Sequence, residues 1–471
     1  MKKDAPHRST RSPKMRVLLL NPPSERVVIR DYFCSKTTKS NYLFQPIDLV
    51  VLSGWLADDH ELEVLDCIAE RLSPVDALAR IRQLDPQVIV SLVGSVSWNE
   101  DRTFLRALAL DDRRIIAIGD VLHEEPEIRL AAEPWLEAIL DDFACDSLPR
   151  YLAGERDGLV GMTVRCPDDS FATLPPDRTK RYRVPRPRHE LFPTRGYHFS
   201  FARRAPFATL LTDYGCPYPC SFCVISTIPF RTREIADVLE EVDHLRGRGV
   251  RELFFMDQTF GVRRERALEL CAAFAERGDL SWTAYTRPDL ADDELLGAMR
   301  AGGCHTVMMG VESADDALLG LYEKGYRASE VGEAFTRARR HGLRTVGTFI
   351  IGLPEETEAS LRATLQLAIA LDMDFLSLNV AVPRFGTPFR ARALELGLAN
   401  ANELVMDQGG ADAFLPTLTL DRVRMLELKR SMVRKYYLRP SYLLRRLLAV
   451  RTWHELKGQV REGVALLAKN T

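Results

Sequence analysis

The feature that most constrains this chain is one loop, Tyr214-Gly-Cys-Pro-Tyr-Pro-Cys-Ser-Phe-Cys223. It places Cys216, Cys220 and Cys223 in a Cys-x3-Cys-x2-Cys spacing just after an apolar run, Phe207–Leu211. Gly215 permits a sharp exit from that run, and Pro217 and Pro219 stiffen the loop beyond it. Three thiolates on so short a loop can hold three irons of a cubane cluster, leaving the fourth iron without a protein ligand. A structural zinc site wants four protein ligands, usually as two paired hooks. No fourth Cys stands nearby, and His198 and His244 are far along the chain.

Around the loop, short apolar strands alternate with helices in two blocks. In the first block Arg16–Leu20, Leu62–Leu65, Val88–Val93, Ile115–Ile118 and Ala138–Leu140 read as strands. Ile47–Ala57 and Pro74–Leu84 read as helices. That alternation predicts an α/β fold, a doubly wound parallel sheet over residues 15–153. Gly94, Ser95 and Gly119 fall just past strand ends, along the edge where open sheets of this kind bind ligands. In the second block six strands, Thr209–Thr212, Glu252–Met256, Ser281–Tyr285, Thr306–Gly310, Thr345–Ile351 and Phe375–Val380, alternate with five helices. This predicts a partial (β/α)6 barrel over 205–399, with its site at the carboxyl ends of the strands. The cysteine loop comes directly after the first of them. A Pro- and Arg-rich linker is expected at 154–204, since Pro175, Pro176, Pro185, Pro187 and Pro193 exclude a long helix. Residues 1–14 read as a disordered basic tail and 400–471 as a helical region.

A chain of 471 residues suits two or three domains. Its 64 basic and 66 acidic residues leave a net charge of −2, so nothing global argues for a nucleic-acid partner. No run of 18 apolar residues occurs, and Leu18–Leu20 is stopped at once by Asn21-Pro22-Pro23, so neither a membrane span nor a signal peptide is expected. Nine cysteines without a signal point to a reducing, cytoplasmic setting. Cys67, Cys145, Cys166, Cys271 and Cys304 read as small apolar fillers, and Cys34 as a loop residue in a polar stretch. In the last stretch Lys429, Arg430, Arg434, Lys435, Arg439, Arg445 and Arg446 alternate with Leu443, Leu444, Leu447, Leu448 and Trp453. This is a solvated basic face over a packing stripe, or a helix lying on anionic lipid as a peripheral membrane contact.

The cysteine spacing resembles that of the radical S-adenosylmethionine (SAM) enzymes. The resemblance implies a 4Fe-4S cluster whose open iron binds the amino and carboxylate groups of SAM. Reduction then releases a 5′-deoxyadenosyl radical. Further segments in the same order, each after a predicted strand, strengthen it. Phe255-Met-Asp257-Gln258-Thr259-Phe260 matches the segment that contacts the SAM amino group, with Asp257 as the candidate acceptor. Met309-Gly-Val-Glu312-Ser313 matches the ribose-contacting segment; Glu312 would accept from both hydroxyls, and Ser313 would add a contact. Gly347 to Thr357 ends a strand and opens a helix, with Gly352 beside the adenine and Glu356 in the first helical turn. Arg287 either forks onto a ligand carboxylate or bridges to Asp289. Pro383-Arg-Phe-Gly-Thr-Pro388 closes the barrel.

The Asn-Pro-Pro after the first strand and the sheet around it resemble the cobalamin-binding class of that family. This implies an amino-terminal Rossmann-like domain holding cobalamin, near Gly94, Ser95 and Gly119. Asp58-Asp59-His60 lacks the Gly of the usual cobalt-ligating motif, and His60 reads as a surface residue. The resemblance implies C-methylation of an unactivated carbon in a small-molecule substrate, lipids and tetrapyrroles being among the classes, with flavodoxin or ferredoxin as electron donor. Ring closure or oxidation with the same cofactors is the alternative. A different class, an iron–sulfur electron carrier or sensor, would have no need of an adenosine site.

Overall fold

The computed structural model describes residues 14–31, 35–36, 42–409, 415–449 and 463. Cys34, the tail before residue 14 and the segment carrying Trp453 lie outside the described residues.

Seven strands form the amino-terminal sheet, in the order Glu61–Asp66, Arg16–Asn21, Val88–Leu92, Arg114–Ile118, Ala138–Leu140, Met162–Arg165, Phe171–Thr173. The first five run parallel, and Val88–Leu92 is buried at every position. An unbroken apolar run is what a strand covered on both faces requires. The helix Ile47–Leu56 obeys the same logic: nearly every residue is buried, Asp48 included, so it is an interior helix and not an amphipathic one.

The sheet continues past residue 153. Met162–Arg165 pairs antiparallel with Ala138–Leu140, and Phe171–Thr173 pairs antiparallel with Met162–Arg165. The expected linker therefore supplies two strands to this sheet. Strands of four and three residues carry too little periodicity to stand out between prolines. The rest of the connector is clamped down. A Cβ on Gly54 would meet the Pro185 carbonyl at 2.0 Å, so only glycine lets the connector pass over that helix. His189 Nε2 sits 2.7 Å from Glu241, both buried.

The second block is a parallel sheet in sequence order: Phe207–Leu210, Glu252–Phe255, Ser281–Thr286, Cys304–Glu312, Arg344–Ile351, Phe375–Val380. Its open edge is finished by the carboxyl-terminal helices Arg422–Tyr437 and Pro440–Ala449. The Tyr437 hydroxyl donates to the Leu376 carbonyl at 2.8 Å and accepts from the Leu376 amide at 2.9 Å. A side chain thus satisfies backbone groups that an edge strand leaves unpaired. Lys429 does not belong to a solvated face: it is 6% exposed and packs inward. Leu443, Leu444, Leu447 and Leu448 are 50–76% exposed and do not form the packing stripe expected of them. No helix among the described residues is long and apolar enough to cross a membrane.

The two blocks are joined by buried charge. Arg231 has a fully buried side chain; its Nη2 donates to Asp142 at 2.6 Å, and its Nη1 donates to Asp177. Within the amino-terminal block Arg30 Nη2 meets Asp101 at 2.7 Å with neither side chain exposed, and Arg30 Nη1 donates to Asn21 and the Pro22 carbonyl. Arg30→Met leaves Asp101 buried with its neutralising partner gone, which costs about 3–5 kcal/mol. Urea denaturation should show a midpoint lowered to match, with an unchanged slope.

Candidate functional site

The cysteine loop is held at both ends. Asp213–Tyr214 pairs antiparallel with Arg231–Arg233, which pairs in turn with Arg181–Tyr182 from the connector. Gly215 has φ +77°, and a Cβ there would meet the Pro229 carbonyl at 2.4 Å, so the exit turn requires glycine.

Cys216, Cys220 and Cys223 all line one cavity of about 730 Å³, which also reaches Gly310, Glu312 and Lys324. Among the described residues no three His, Cys, Asp or Glu side chains are drawn into a preformed metal cage. What the loop provides is a soft three-sulfur donor set facing a sheltered space, which fits an iron–sulfur cluster with one open iron. Burial pushes the Cys223 thiol up to about 12 and raises Cys220, while the charges of Lys324 and, at Cys220, Arg287 pull the other way. Thiols so placed lose their protons when metal binds.

Arg287 holds the loop from the side. Its guanidinium stacks over Tyr218, with Cζ 3.7 Å from the ring centroid, and Nη1 lies 3.9 Å from Cys220 Sγ. Nε and Nη2 fork onto Asp289 at 2.9 and 3.0 Å, and Nη2 also donates to the Lys324 carbonyl at 2.9 Å. The bridging reading of Arg287 is the one the structure bears out, and it brings the cation to the cysteine loop.

The fourth strand ends in a bulge. Its register shifts between Gly310 and Glu312, and Glu312 has φ +65°. A non-glycine residue held there is strained, and such strain gathers at ligand sites. Glu312 Oε1 accepts from Lys324 Nζ at 2.7 Å, both side chains nearly buried. Burial opposes the Lys324 charge, but the Glu312 carboxylate, with smaller contributions from Tyr326 and Cys220, outweighs it and holds the ammonium above its ordinary range. A Cβ on Gly310 would meet Glu312 Oε1 at 2.3 Å and Lys324 Nζ at 2.9 Å, so glycine makes room for the pair. Sequence reasoning misses Lys324 because its turn, Glu323-Lys-Gly-Tyr326, carries no spacing signal.

Three expected SAM contacts stand elsewhere. Asp257 is fully buried and outside the cavity lining; it accepts from Thr212 N at 2.6 Å, Thr212 Oγ1 at 2.5 Å and Asp213 N at 3.1 Å. It knots two strand ends together, and its neighbours Gln258 and Thr259 line the cavity instead. Ser313 accepts from the Asp315 amide at 3.1 Å and does not line the cavity. Gly352 has φ +91° and is also outside the lining, although Ile350 two residues earlier is in it. Glu356 precedes its helix: Oε2 accepts from the Gly352 and Leu353 amides at 2.5 and 3.3 Å, and burial raises its carboxyl to about 8. It braces the Gly352 turn rather than charging a helix end.

At the amino-terminal sheet, Ser95 and Gly119 do sit at the carboxyl edge but are packed shut. Ser95 N and Oγ donate to Asp120 at 2.8 and 2.6 Å, and Arg384 Nη1 reaches the same carboxylate at 3.0 Å. Gly94 N donates to Asp101 at 3.0 Å. A Cβ on Gly119 would meet the Val93 carbonyl at 1.8 Å. Gly94, Ser95 and Gly119 do not line the cavity; Ile29, Asp31, Tyr42 and Phe44 form its amino-terminal wall. Arg384, from the segment after the sixth strand, lines it too. His60 is 8% exposed with Nδ1 unpartnered among the described residues, so it is an interior residue and not a surface one.

Residues 211–368 match the family model of the radical SAM superfamily. Over 451 residues the chain is 28% identical to an uncharacterized methyltransferase of Pyrococcus horikoshii, covering 92% of this chain and 94% of that protein. The radical SAM methyltransferase TsrM from Kitasatospora setae, solved with cobalamin and a 4Fe-4S cluster, matches with TM-score 0.69 over 97% of this chain and 100% of that one, at 18% identity. The cobalamin-dependent SAM radical enzyme OxsB, solved with aqua-cobalamin and SAM, matches with TM-score 0.70 over 96% of this chain and 72% of that one, at 16% identity. At such identities the likeness to the solved structures is one of fold.

Proposed function

We propose that this chain, a member of the radical SAM superfamily with the fold of its cobalamin-dependent branch, methylates an unactivated carbon of a small molecule. The observation that carries the proposal is one cavity between the two blocks, reached by all three loop cysteines, by the Glu312–Lys324 pair and by a wall from the amino-terminal domain. When bound, the cluster and SAM supply a hydrogen-abstracting 5′-deoxyadenosyl radical, and cobalamin supplies the methyl group.

Cys216, Cys220 and Cys223 would hold the cluster, and Arg287 and Lys324 would offset its negative charge. Glu312 would accept from the ribose hydroxyls, oriented by Lys324 and given room by Gly310. Gln258 and Thr259 are better placed than Asp257 to meet the amino group of SAM, since they line the cavity. Ile29, Tyr42 and Phe44 would face cobalamin, while Ser95 and Gly119 would support that edge through Asp120 and Arg384. Apolar walls such as Phe199, Phe254 and Phe375 exclude water from a site whose intermediates must be sheltered.

The test is anaerobic incubation of the reconstituted, cobalamin-loaded protein with SAM and dithionite, then mass spectrometry of extracts from cells with and without the gene. Expected are 5′-deoxyadenosine and a metabolite heavier by CH2, one methyl group having replaced one hydrogen. A metabolite that instead loses two hydrogens or gains oxygen would overturn methylation in favour of ring closure or oxidation. Absence of 5′-deoxyadenosine would favour the electron carrier.

A further inference from the structure

Lys429 is 6% exposed, yet its Nζ has one hydrogen-bond partner among the described residues, the Gly409 carbonyl at 2.9 Å. No carboxylate among those residues lies within ion-pair distance of it. An ammonium has three donors, so two remain for something else. Burying a cation without a counter-charge is costly, and a chain keeps such a group where a ligand completes it. Burial lowers this lysine to about 8, partly offset by the charge of Asp407, so it is still mostly protonated at neutral pH.

Lys429 lines the same cavity as the cysteines. It comes from the helix that packs on the sixth strand, while the cysteine loop comes after the first, so a ligand reaching both spans the open side of the barrel. The same lining carries Phe375, Leu438, Leu443 and Leu447, together with Arg446, whose charge is met by Asp374 at 3.2 Å. Leu443 and Leu447 are also 50% and 62% exposed, so the apolar surface runs from the cavity to the outside.

We propose that Lys429 recognises an anionic group, carboxylate or phosphate, on an otherwise apolar substrate whose body lies along Leu438, Leu443 and Leu447. This rests on the proposed reading that the cavity is the substrate site, and it narrows the substrate to an amphipathic acid.

The test measures equilibrium binding of 11-(dansylamino)undecanoic acid, its methyl ester and dodecyl phosphate to the full-length protein, without SAM. Wild type should bind the acid at least tenfold more tightly than the ester, and dodecyl phosphate should displace the acid. Inorganic phosphate alone should not. Lys429→Met should bind acid and ester alike, and Lys429→Arg should restore the preference. Equal binding of acid and ester by wild type would overturn the proposal. So would a preference surviving in Lys429→Met, or displacement by inorganic phosphate as strong as by dodecyl phosphate. Loss of cobalamin from Lys429→Met would place the residue on the cofactor and also overturn it. Formation of 5′-deoxyadenosine by wild type tests the underlying reading separately, so the two failures are distinguishable.

Discussion

Cys223→Ala produces no 5′-deoxyadenosine above background and still binds cobalamin. The expectation comes from the donor count. The loop carries three sulfurs, and a cluster that leaves one iron open for SAM needs all of them. The loop's shape does not rest on the thiol: it is fixed at its base by the pairing of Asp213–Tyr214 with Arg231–Arg233 and by Arg231 on Asp142. The amino-terminal block has its own seven-stranded sheet, to which the cysteine loop contributes no strand. Cobalamin absorbance after gel filtration and chromatographic assay of 5′-deoxyadenosine measure the two properties side by side. Loss of both together would mean the cofactor sites are not separable.

Glu312→Gln raises the SAM dissociation constant by about tenfold or more, equivalent to about 1.4 kcal/mol, and it also lowers thermal stability. The second effect comes from Lys324, left nearly buried without its anion, a loss of about 3–5 kcal/mol for a broken buried pair. The two effects part in the double variant Glu312→Gln/Lys324→Met. Removing both charges restores much of the stability, because replacing a buried pair by apolar groups is often close to neutral. It does not restore SAM affinity, because the carboxylate that accepts the ribose hydroxyls is still missing. Calorimetry with SAM and a thermal melt check both. If the double variant recovers SAM affinity with its stability, Glu312 serves the fold and not the nucleoside.

The architecture was legible wherever a strand was covered on both faces, since Arg16–Asn21 and Val88–Leu92 announce themselves as apolar runs. The pairs Met162–Arg165 and Phe171–Thr173 were not, because four and three residues among prolines carry no period. Covalent spacing made the cysteine loop plain. Glu312 stood out as a carboxylate at a strand end, and the bulge there explains why it turns into the cavity. Asp257 looked identical by that criterion, yet its position one residue off aims it at the Thr212 amide. Direction of a side chain at a strand end alternates with each residue, so a motif locates a segment more reliably than the member that does the contacting. Lys324 and Lys429 carry no spacing signal of their own, and only the folded chain shows that they and Arg384 reach one cavity.

Mössbauer spectroscopy of oxygen-free protein reconstituted with iron-57 and sulfide, recorded before and after SAM, asks whether the three cysteines hold a cluster with one iron open to SAM. A cubane cluster in which one iron alone changes its spectrum when SAM is added is the expected result. A cluster indifferent to SAM, or a site that takes up zinc and no iron, would contradict it.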